Sequence, residues 1–165
     1  MKFRLVDRIL DWQPRQIIHG VKAVSFEEYE LRRRLGDEPC LPESLIMESL
    51  FQLGNWLLIL SSDFRQMGLV VRFEEVRFSN RLRPGRLLRM QATVRSWRDD
   101  GVVFDGSGSA DGEAIVAGRG CLAAPVPLAD YADPADLRVL FSEIYRPEKS
   151  SPLCLPQGLD GFCTT

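Results

Sequence analysis

Histidine is almost absent from this 165-residue sequence, which contains His19 and no other. Histidine is the commonest proton carrier near neutral pH and the commonest metal ligand. Chemistry that needs two histidines in one chain is therefore excluded. Lysine is also scarce, because 18 of the 21 cationic residues are arginine. Arginine suits the recognition of carboxylate and phosphate groups.

The sequence also lacks the cysteine spacings of zinc sites and disulfide frameworks. Its four cysteines are Cys40, Cys121, Cys154 and Cys163, and no two of them form a CxxC pair. We therefore expect no metal site and no disulfides, and reduced thiols in a cytoplasmic protein. Charged residues interrupt every short apolar stretch near the N-terminus, so no signal peptide is predicted. A net charge of −2 argues against a nucleic-acid binder.

The composition, 45% hydrophobic and 27% charged, is typical of a folded soluble protein. The length favours one main domain, which we assign to residues 1–128. Residues 129–146 are predicted to be a helical extension, because 133–144 has an apolar face and a proline at the first helical position. Residues 147–165 are rich in Pro, Gly and Ser and are predicted to be a flexible tail.

The longest helical pattern runs from Pro42 to about Gln66, and its apolar residues cover almost the whole circumference. Such a helix is expected to be buried on nearly all sides. A membrane span is disfavoured because Glu48, Gln52 and Asn55 interrupt the apolar stretch.

Strand patterns surround this helix in the sequence. Residues 16–24 are rich in β-branched side chains and predict a strand, and four more strand-like segments follow the helix: 69–78, 87–97, 102–110 and 113–126. The dipeptides Asp100-Gly101 and Asp111-Gly112 predict consecutive hairpins, and the C-terminal half is predicted to be an antiparallel meander. We therefore predict an α+β fold in which an antiparallel sheet wraps around a central helix.

One polar stripe crosses the apolar helix, formed by Ser44, Glu48, Gln52 and Asn55 at helical spacing. A carboxyl group in apolar surroundings has a raised pKa and serves as a general acid or base near neutral pH. Glu48 is therefore the best single candidate for a catalytic residue. The alternative is that the stripe reaches solvent or lines a dimer seam.

The run GDEPCLPESLIMESLFQ at 36–52 resembles the active-site segment of the FabZ-type 3-hydroxyacyl-acyl carrier protein dehydratases, whose pattern is H-x-x-x-H-P-x-x-P-G-x-x-x-x-E-x-x-x-Q. Pro39 and Pro42 match the two prolines, Glu48 the catalytic carboxylate and Gln52 the final glutamine. Two further stretches, LVDRILDW near the N-terminus and the segment around the Pro84-Gly85 turn, are similar to other parts of the family.

The resemblance implies a hot dog fold, in which the sheet wraps the helix, and a dimer with acyl tunnels at the subunit interface. It implies acyl thioesters of acyl carrier protein or CoA as substrates, in fatty acid or polyketide-type biosynthesis. No cofactor is implied apart from the phosphopantetheine arm carried by the substrate. In the family a histidine of one subunit removes the α-proton, and a carboxylate of the other protonates the leaving hydroxyl. Residues Pro42, Glu43 and Ser44 are then expected to bind the substrate, and a backbone N–H at position 43 to hold its carbonyl.

Three positions depart from the family pattern. The position of the catalytic histidine, 14 residues before Glu48, holds Arg34. The second loop histidine corresponds to Glu38 and the glycine after the second proline to Glu43. Arginine cannot act as a base, because its pKa exceeds about 12. The family's base is therefore missing from its expected position.

Three functions remain open on the sequence. The leading hypothesis is a catalytically degenerate dehydratase homologue that pairs with an active homologue as a heterodimer, or binds acyl thioesters as a homodimer. The second is a hot dog thioesterase in which Glu48, beside Gln52, either attacks the thioester or activates water. The third is an active dehydratase in which Glu48 or His19 carries out both proton transfers.

Arginines are the candidate contacts to the acidic surface of an acyl carrier protein and to its phosphopantetheine phosphate. The alternative is a solvated face balanced by nearby glutamates, which is the usual role of surface charge. The arginines concerned are Arg32, Arg33, Arg77, Arg81, Arg83, Arg86 and Arg89, and the glutamates are Glu27, Glu28, Glu74 and Glu75.

Overall fold

The computed structural model describes residues 4–26 and 38–147 of the chain. This part of the chain forms one antiparallel sheet of seven strands and two α-helices. The elements are β1 Arg8–Gln13, β2 Ile17–Ala23, α1 Glu43–Ser61, β3 Gln66–Arg72, β4 Glu75–Phe78, β5 Leu87–Arg98, β6 Gly101–Ala110, β7 Glu113–Pro127 and α2 Pro134–Ile144. The strand order is β1-β2-β5-β6-β7-β3, and β4 also pairs with β7. Helix α1 contacts β2, β3, β5, β6 and β7 and is therefore the centre of the fold.

Helix α1 confirms the predicted central helix and its start. Pro42 occupies the N-cap position, where its missing N–H costs nothing. The helix ends at Ser61 rather than near Gln66, so its predicted C-terminal end is wrong by five residues. Asp63 and Phe64 adopt positive φ angles of 53° and 57°, which a right-handed helix cannot accommodate.

Close packing holds α1 against the sheet. Leu53 and Leu57 are 0% and 1% exposed on the side that faces the strands. A Cβ atom at Gly54 would lie 2.6 Å from the ring of Phe104, and one at Gly20 would lie 2.7 Å from Leu53. The two glycines therefore allow the helix to approach the strands closely. The helix is long and apolar enough to span a membrane, but 56% of its apolar window is buried within the fold, as expected of a core helix.

The strands after α1 differ in two ways from the prediction. The hairpins at Asp100-Gly101 and Asp111-Gly112 are confirmed, since they connect β5 to β6 and β6 to β7. The segment predicted as one strand at 69–78 is two strands, β3 and β4, both paired with β7. It is split opposite Gly120 of β7, whose φ of 60° marks an irregularity in the register.

The predicted meander is therefore only partly correct. Strand β5 pairs with β2 on its other side, not with β4, and the loop after β4 carries the chain across the sheet. Turn dipeptides specify hairpins, but the sequence carries no comparable signal for a crossover of this kind.

The predicted C-terminal helix is present as α2, capped by the Asp133 carboxylate, which accepts a hydrogen bond from the Ala135 N–H. Its apolar side packs against the core cluster through Leu137, Leu140, Phe141 and Ile144. The domain limits assigned from the sequence stay predictions. Residues 148–165, which include most of the predicted tail, lie outside the described residues.

Candidate active site

The predicted substrate-binding residues lie together at the N-terminal end of α1. Pro42, Glu43 and Ser44 line a cavity of about 580 Å³, together with the loop before them and the segment 78–81 after β4. The Pro42 carbonyl accepts hydrogen bonds from the N–H groups of Leu45 and Ile46. Among the described residues, nothing accepts a hydrogen bond from the Glu43 or Ser44 N–H. These two N–H groups lie at the positive end of the helix dipole and are suited to bind a carbonyl or anionic oxygen.

Glu48 lies one turn further along α1, on the side that faces away from the sheet. Its side chain is exposed, whereas Leu53 and Leu57 on the opposite side are fully buried. Of the two alternatives that the sequence allows, a carboxyl group in apolar surroundings or a stripe that reaches solvent, the single chain shows the second at Glu48. The sheet covers one side of α1 only, and the polar stripe opens on the other.

The two amide side chains of the polar stripe have structural partners. Gln52 donates a hydrogen bond from Nε2 to Glu48 Oε1 at 3.0 Å and accepts one at Oε1 from the Leu5 N–H at 2.9 Å. Asn55 accepts a hydrogen bond at Oδ1 from the Gly68 N–H at 2.8 Å, which ties α1 to β3. The stripe therefore combines the exposed Ser44 and Glu48 with two amides that fix neighbouring segments.

An exposed apolar row lies on β3 and on the residue that follows it, and β3 pairs with β7 along one edge only among the described strands. Leu69, Val71 and Phe73 alternate along this segment and are 37%, 62% and 43% exposed. The Phe73 ring lies 6.1 Å from that of Phe51, which is three residues after Glu48 on α1. We call Leu69, Val71 and Phe73 the β3 edge row. This feature was not predicted from the sequence, although the alternation of large apolar residues in LVVRF is its signal.

His19 lies on the opposite face of the sheet from Glu48. Its neighbours Ile18 and Gly20 face α1, and alternation along β2 directs the histidine to the other side. His19 Nε2 lies 3.3 Å from Gln91 Oε1 on β5, and its Nδ1 is buried without a hydrogen-bond partner. Hence the structure does not bring His19 and Glu48 together within one chain.

The loop that resembles the family's histidine segment is described only in part. Arg34, Arg32 and Arg33 lie outside the described residues. Glu38, at the position of the second loop histidine, forms an ion pair with Arg83 at 2.8 Å, and both side chains are about 60% exposed.

Several arginines of the predicted carrier-protein cluster have acidic partners. Arg86 contacts Asp111 at 2.6 Å and Glu113 at 2.9 Å, and these hydrogen bonds raise its pKa above the ordinary value. Arg77 pairs with Glu75, as expected for a balanced face. Arg81 is exposed and lines the cavity at the start of α1, and among the described members of the cluster it is the one that lines this cavity.

The two described cysteines differ in environment. Cys40 is half-buried and lines the cavity, whereas Cys121 lies buried in β7. Burial, reinforced by the negative charges of Asp105 and Glu74, raises the pKa of the Cys121 thiol from 9.0 to about 11. No cluster of His, Cys, Asp and Glu in the described part of the chain could hold a metal ion.

Residues 1–119 match the FabA-like domain, which covers well over half of the chain. The chain belongs to the FabA-like family. Among curated relatives of this FabA-like chain, the 3-hydroxyacyl-[acyl-carrier-protein] dehydratase FabZ of Oleidesulfovibrio alaskensis is 36% identical over 126 residues, which cover 70% of this chain and 80% of the relative. The resemblance drawn from the motif at 36–52 is thereby confirmed at the level of the family.

Solved structures confirm the hot dog fold of this FabA-like protein. The fluoroacetyl-CoA thioesterase FlK superimposes with a TM-score of 0.60 at 12% identity, over 78% of this chain and 97% of FlK. The dehydratase heterocomplex ApeI:P of Xenorhabdus doucetiae contains a chain with a TM-score of 0.53 at 15% identity, over 68% of this chain and 92% of that one. At these identities the likeness concerns the fold alone.

Proposed function

We propose that this chain is a dehydratase-like subunit that binds acyl thioesters of acyl carrier protein or CoA and supplies Glu48 to a site completed by a histidine-bearing homologue. One observation carries the proposal: the chain's only histidine lies on the opposite face of the sheet from Glu48. The family's base position is occupied by Arg34 in the motif alignment, and arginine does not accept a proton at neutral pH.

The chemistry of water elimination explains why a partner is needed. Removing water from a 3-hydroxyacyl thioester takes a base for the α-proton and an acid for the leaving hydroxyl. Glu48, when protonated, can supply the acid, and the Glu43 N–H at the start of α1 can stabilise the negative charge that develops on the thioester oxygen. The base must then come from outside this chain.

The surroundings of Glu48 support a paired subunit. Its carboxylate is exposed, and three residues further along α1 the Phe51 ring lies 6.1 Å from Phe73, the last member of the β3 edge row. Among the described strands, none pairs with the free edge of β3. Such edges are usually paired or covered in folded proteins. A homologue that adds its own edge strand here would cover the row and approach Glu48. The existence of a dehydratase heterocomplex with the same fold supports pairing between unlike subunits.

Carrier-protein recognition is the second part of the proposal. Arg81 is exposed at the cavity where Glu43 and Ser44 offer their N–H groups. A phosphopantetheine arm that enters this cavity would bring its phosphate toward a cation and its thioester toward the start of α1.

A thioesterase is the second candidate, because Glu48 is open to water and is oriented by Gln52. A carboxylate in this setting can activate water for attack on a thioester without a histidine. FlK, which is a thioesterase, has a similar fold, so this fold is compatible with thioester hydrolysis. An active dehydratase that relies on Glu48 for both proton transfers is the third.

A direct assay separates these functions. The purified chain is given 3-hydroxyacyl thioesters of carrier protein and of CoA, alone and with a FabZ-type homologue from the same organism. Enoyl product is followed by absorbance and free thiol by a colorimetric reagent. We expect neither product from the chain alone. Free thiol from the chain alone would support the thioesterase, and enoyl product from the chain alone would contradict the need for a partner.

A further inference from the structure

Helix α2 packs against the C-terminal part of α1 through Phe141, on the side that faces away from the sheet. Near the start of this side Glu48 is exposed and Gln52 is half-buried. Two turns after Glu48 the side chain of Trp56 is only 9% exposed, and Ile59 is 5% exposed. The Trp56 ring lies 6.1 Å from Phe141 of α2.

Helix α2 and the two residues that follow it, Tyr145 and Arg146, cross the C-terminal end of α1, and we call them the strap. Phe141 packs against Phe64 at 6.2 Å and stacks on Tyr145 at 5.1 Å. After the helix, Tyr145 forms a parallel bridge with Ile9, so the strap reaches the β1 edge of the sheet. The apolar contacts therefore run from the end of α1 to the first strand.

Polar contacts fix the strap in place. Arg138 donates hydrogen bonds to the Asp63 carboxylate at 3.0 Å and to its carbonyl at 3.1 Å. The same guanidinium lies 4.3 Å from the centre of the Phe64 ring. The Arg146 N–H donates to the Ile9 carbonyl at 2.9 Å. No residue of α2 is fully buried, so the strap lies on the surface of the core and is not part of it.

The strap lies beyond the region that matches the FabA-like domain, which ends at residue 119. It also lies at the opposite end of α1 from the cavity lined by Glu43 and Ser44. The Glu43 N–H and the Glu48 carboxylate follow one another along α1, so a chain bonded to the thioester carbonyl and passing Glu48 points toward the end of α1. Trp56 is eight residues beyond Glu48, about 12 Å along the helix axis.

We propose that α2 closes the far end of the acyl-binding surface along α1, so that Phe141 against Trp56 sets the longest acyl chain that the protein accepts. The inference rests on the proposed function, because it takes the substrate to be an acyl thioester whose carbonyl lies at the start of α1. It assigns α2 a role in chain-length selection. Phe141 acts as a steric stop there and takes no part in proton transfer.

Binding of a graded series of ligands tests this role. The ligands are 2-oxoalkyl-CoA thioethers, which keep a carbonyl and cannot be hydrolysed, with alkyl chains from short to long. Dissociation constants are measured by calorimetry for the full-length chain, alone and with the FabZ-type homologue. The variants are Phe141→Ala, which opens the proposed stop, and Phe141→Trp, which enlarges it. Val139→Ala is the matched control, because Val139 is 60% exposed on the same helix.

We expect the unmodified protein to bind increasingly tightly up to a limiting chain length and weakly beyond it. Phe141→Ala should bind the first rejected chain about tenfold more tightly, a change of about 1.4 kcal/mol. Phe141→Trp should move the limit to shorter chains, and Val139→Ala should leave it unchanged. Should Phe141→Ala fail to give a normal thermal transition, the shift of the chain-length limit in Phe141→Trp still tests the role of α2.

The same limit in all variants would overturn the role of α2 while leaving the proposed function intact. Absence of binding at every chain length, in the unmodified protein with and without its partner, would instead overturn the proposed function and this inference with it.

Discussion

Gln52 holds the Glu48 carboxylate through a 3.0 Å hydrogen bond while its own oxygen accepts the Leu5 N–H at 2.9 Å. One amide thus connects the candidate catalytic group to the segment before β1. Because an exposed carboxylate on a helix samples several rotamers, this bond selects the orientation in which Glu48 faces the uncovered side of α1. Gln52 is therefore a positioning residue, and Glu48 is the group expected to meet the substrate.

Replacing Gln52 by Ala should lower both stability and activity. Two hydrogen bonds are lost, and the free energy of unfolding in urea should fall by about 1–2 kcal/mol. The partner-dependent dehydratase rate should fall about tenfold, because Glu48 loses its orientation. The exposed Gln13 provides the control, since Gln13→Ala removes an amide far from the site. A rate unaffected by Gln52→Ala in a folded protein would refute the positioning role.

A charge in the middle of the β3 edge row should prevent subunit pairing. Val71 is 62% exposed, so Val71→Lys disturbs the core little, but it places an ammonium group in the apolar row. We expect the dissociation constant for pairing with the FabZ-type homologue, measured by sedimentation velocity, to rise about tenfold or more, equivalent to about 1.4 kcal/mol. Val139→Lys has the same change at a site of 60% exposure on α2 and should associate normally. Equal association of both variants would show that pairing uses another surface.

Removal of the Arg81 guanidinium should weaken recognition of carrier protein. Arg81 lines the cavity, and a single exposed ion pair contributes up to about 1 kcal/mol, so Arg81→Ala should raise the dissociation constant several-fold. Fluorescence polarisation with labelled acyl carrier protein measures this, and the difference should shrink at high salt because the charges are screened. Arg98→Ala, at the end of β5, is the matched control. A loss that persists at high salt, or that Arg98→Ala reproduces, would contradict the assignment.

Buried Cys121 should make stability depend on alkaline pH. Its thiol has a pKa of about 11 in the folded chain against an ordinary value of 9.0, so the folded state keeps a proton that the unfolded state releases. This contribution is complete below pH 9 and is lost as the pH rises through about 11. Urea unfolding between these values should show a steeper loss for the unmodified protein than for Cys121→Ala. Parallel pH profiles would show that the thiol is not protected by burial.

The fold could be predicted from the sequence to a large extent because local signals agreed. Pro42 marked the start of α1, and two Asp-Gly turns fixed the hairpins of β5, β6 and β7. Long-range features were not predictable. The irregularity at Gly120 that divides β3 from β4 lies in another strand, and the end of α1 is set by positive φ angles at Asp63 and Phe64.

The candidate site was only partly predictable. The motif predicted Glu43 and Ser44 as substrate-binding residues, and both line one cavity. It also indicated that Glu48 and Gln52 are neighbours, since residues four apart share a helix face, and the two side chains form a hydrogen bond. The sequence did not decide between a buried Glu48 and one that reaches solvent, because an apolar helix pattern does not reveal which side the sheet leaves open. The position of His19 relative to Glu48 depends on strand alternation in the folded sheet.

The central claim is that Glu48 serves a site whose base comes from a partner. The most direct test uses a FabZ-type homologue in which the catalytic glutamate has been replaced by Gln and the histidine is retained, so that the homologue alone is inactive. We predict that mixing it with this chain restores dehydration of a 3-hydroxyacyl thioester, that His19→Asn in this chain preserves the restored activity, and that Glu48→Gln abolishes it. No restoration in a demonstrated heterodimer, or equal restoration by the Glu48→Gln variant, would contradict the account.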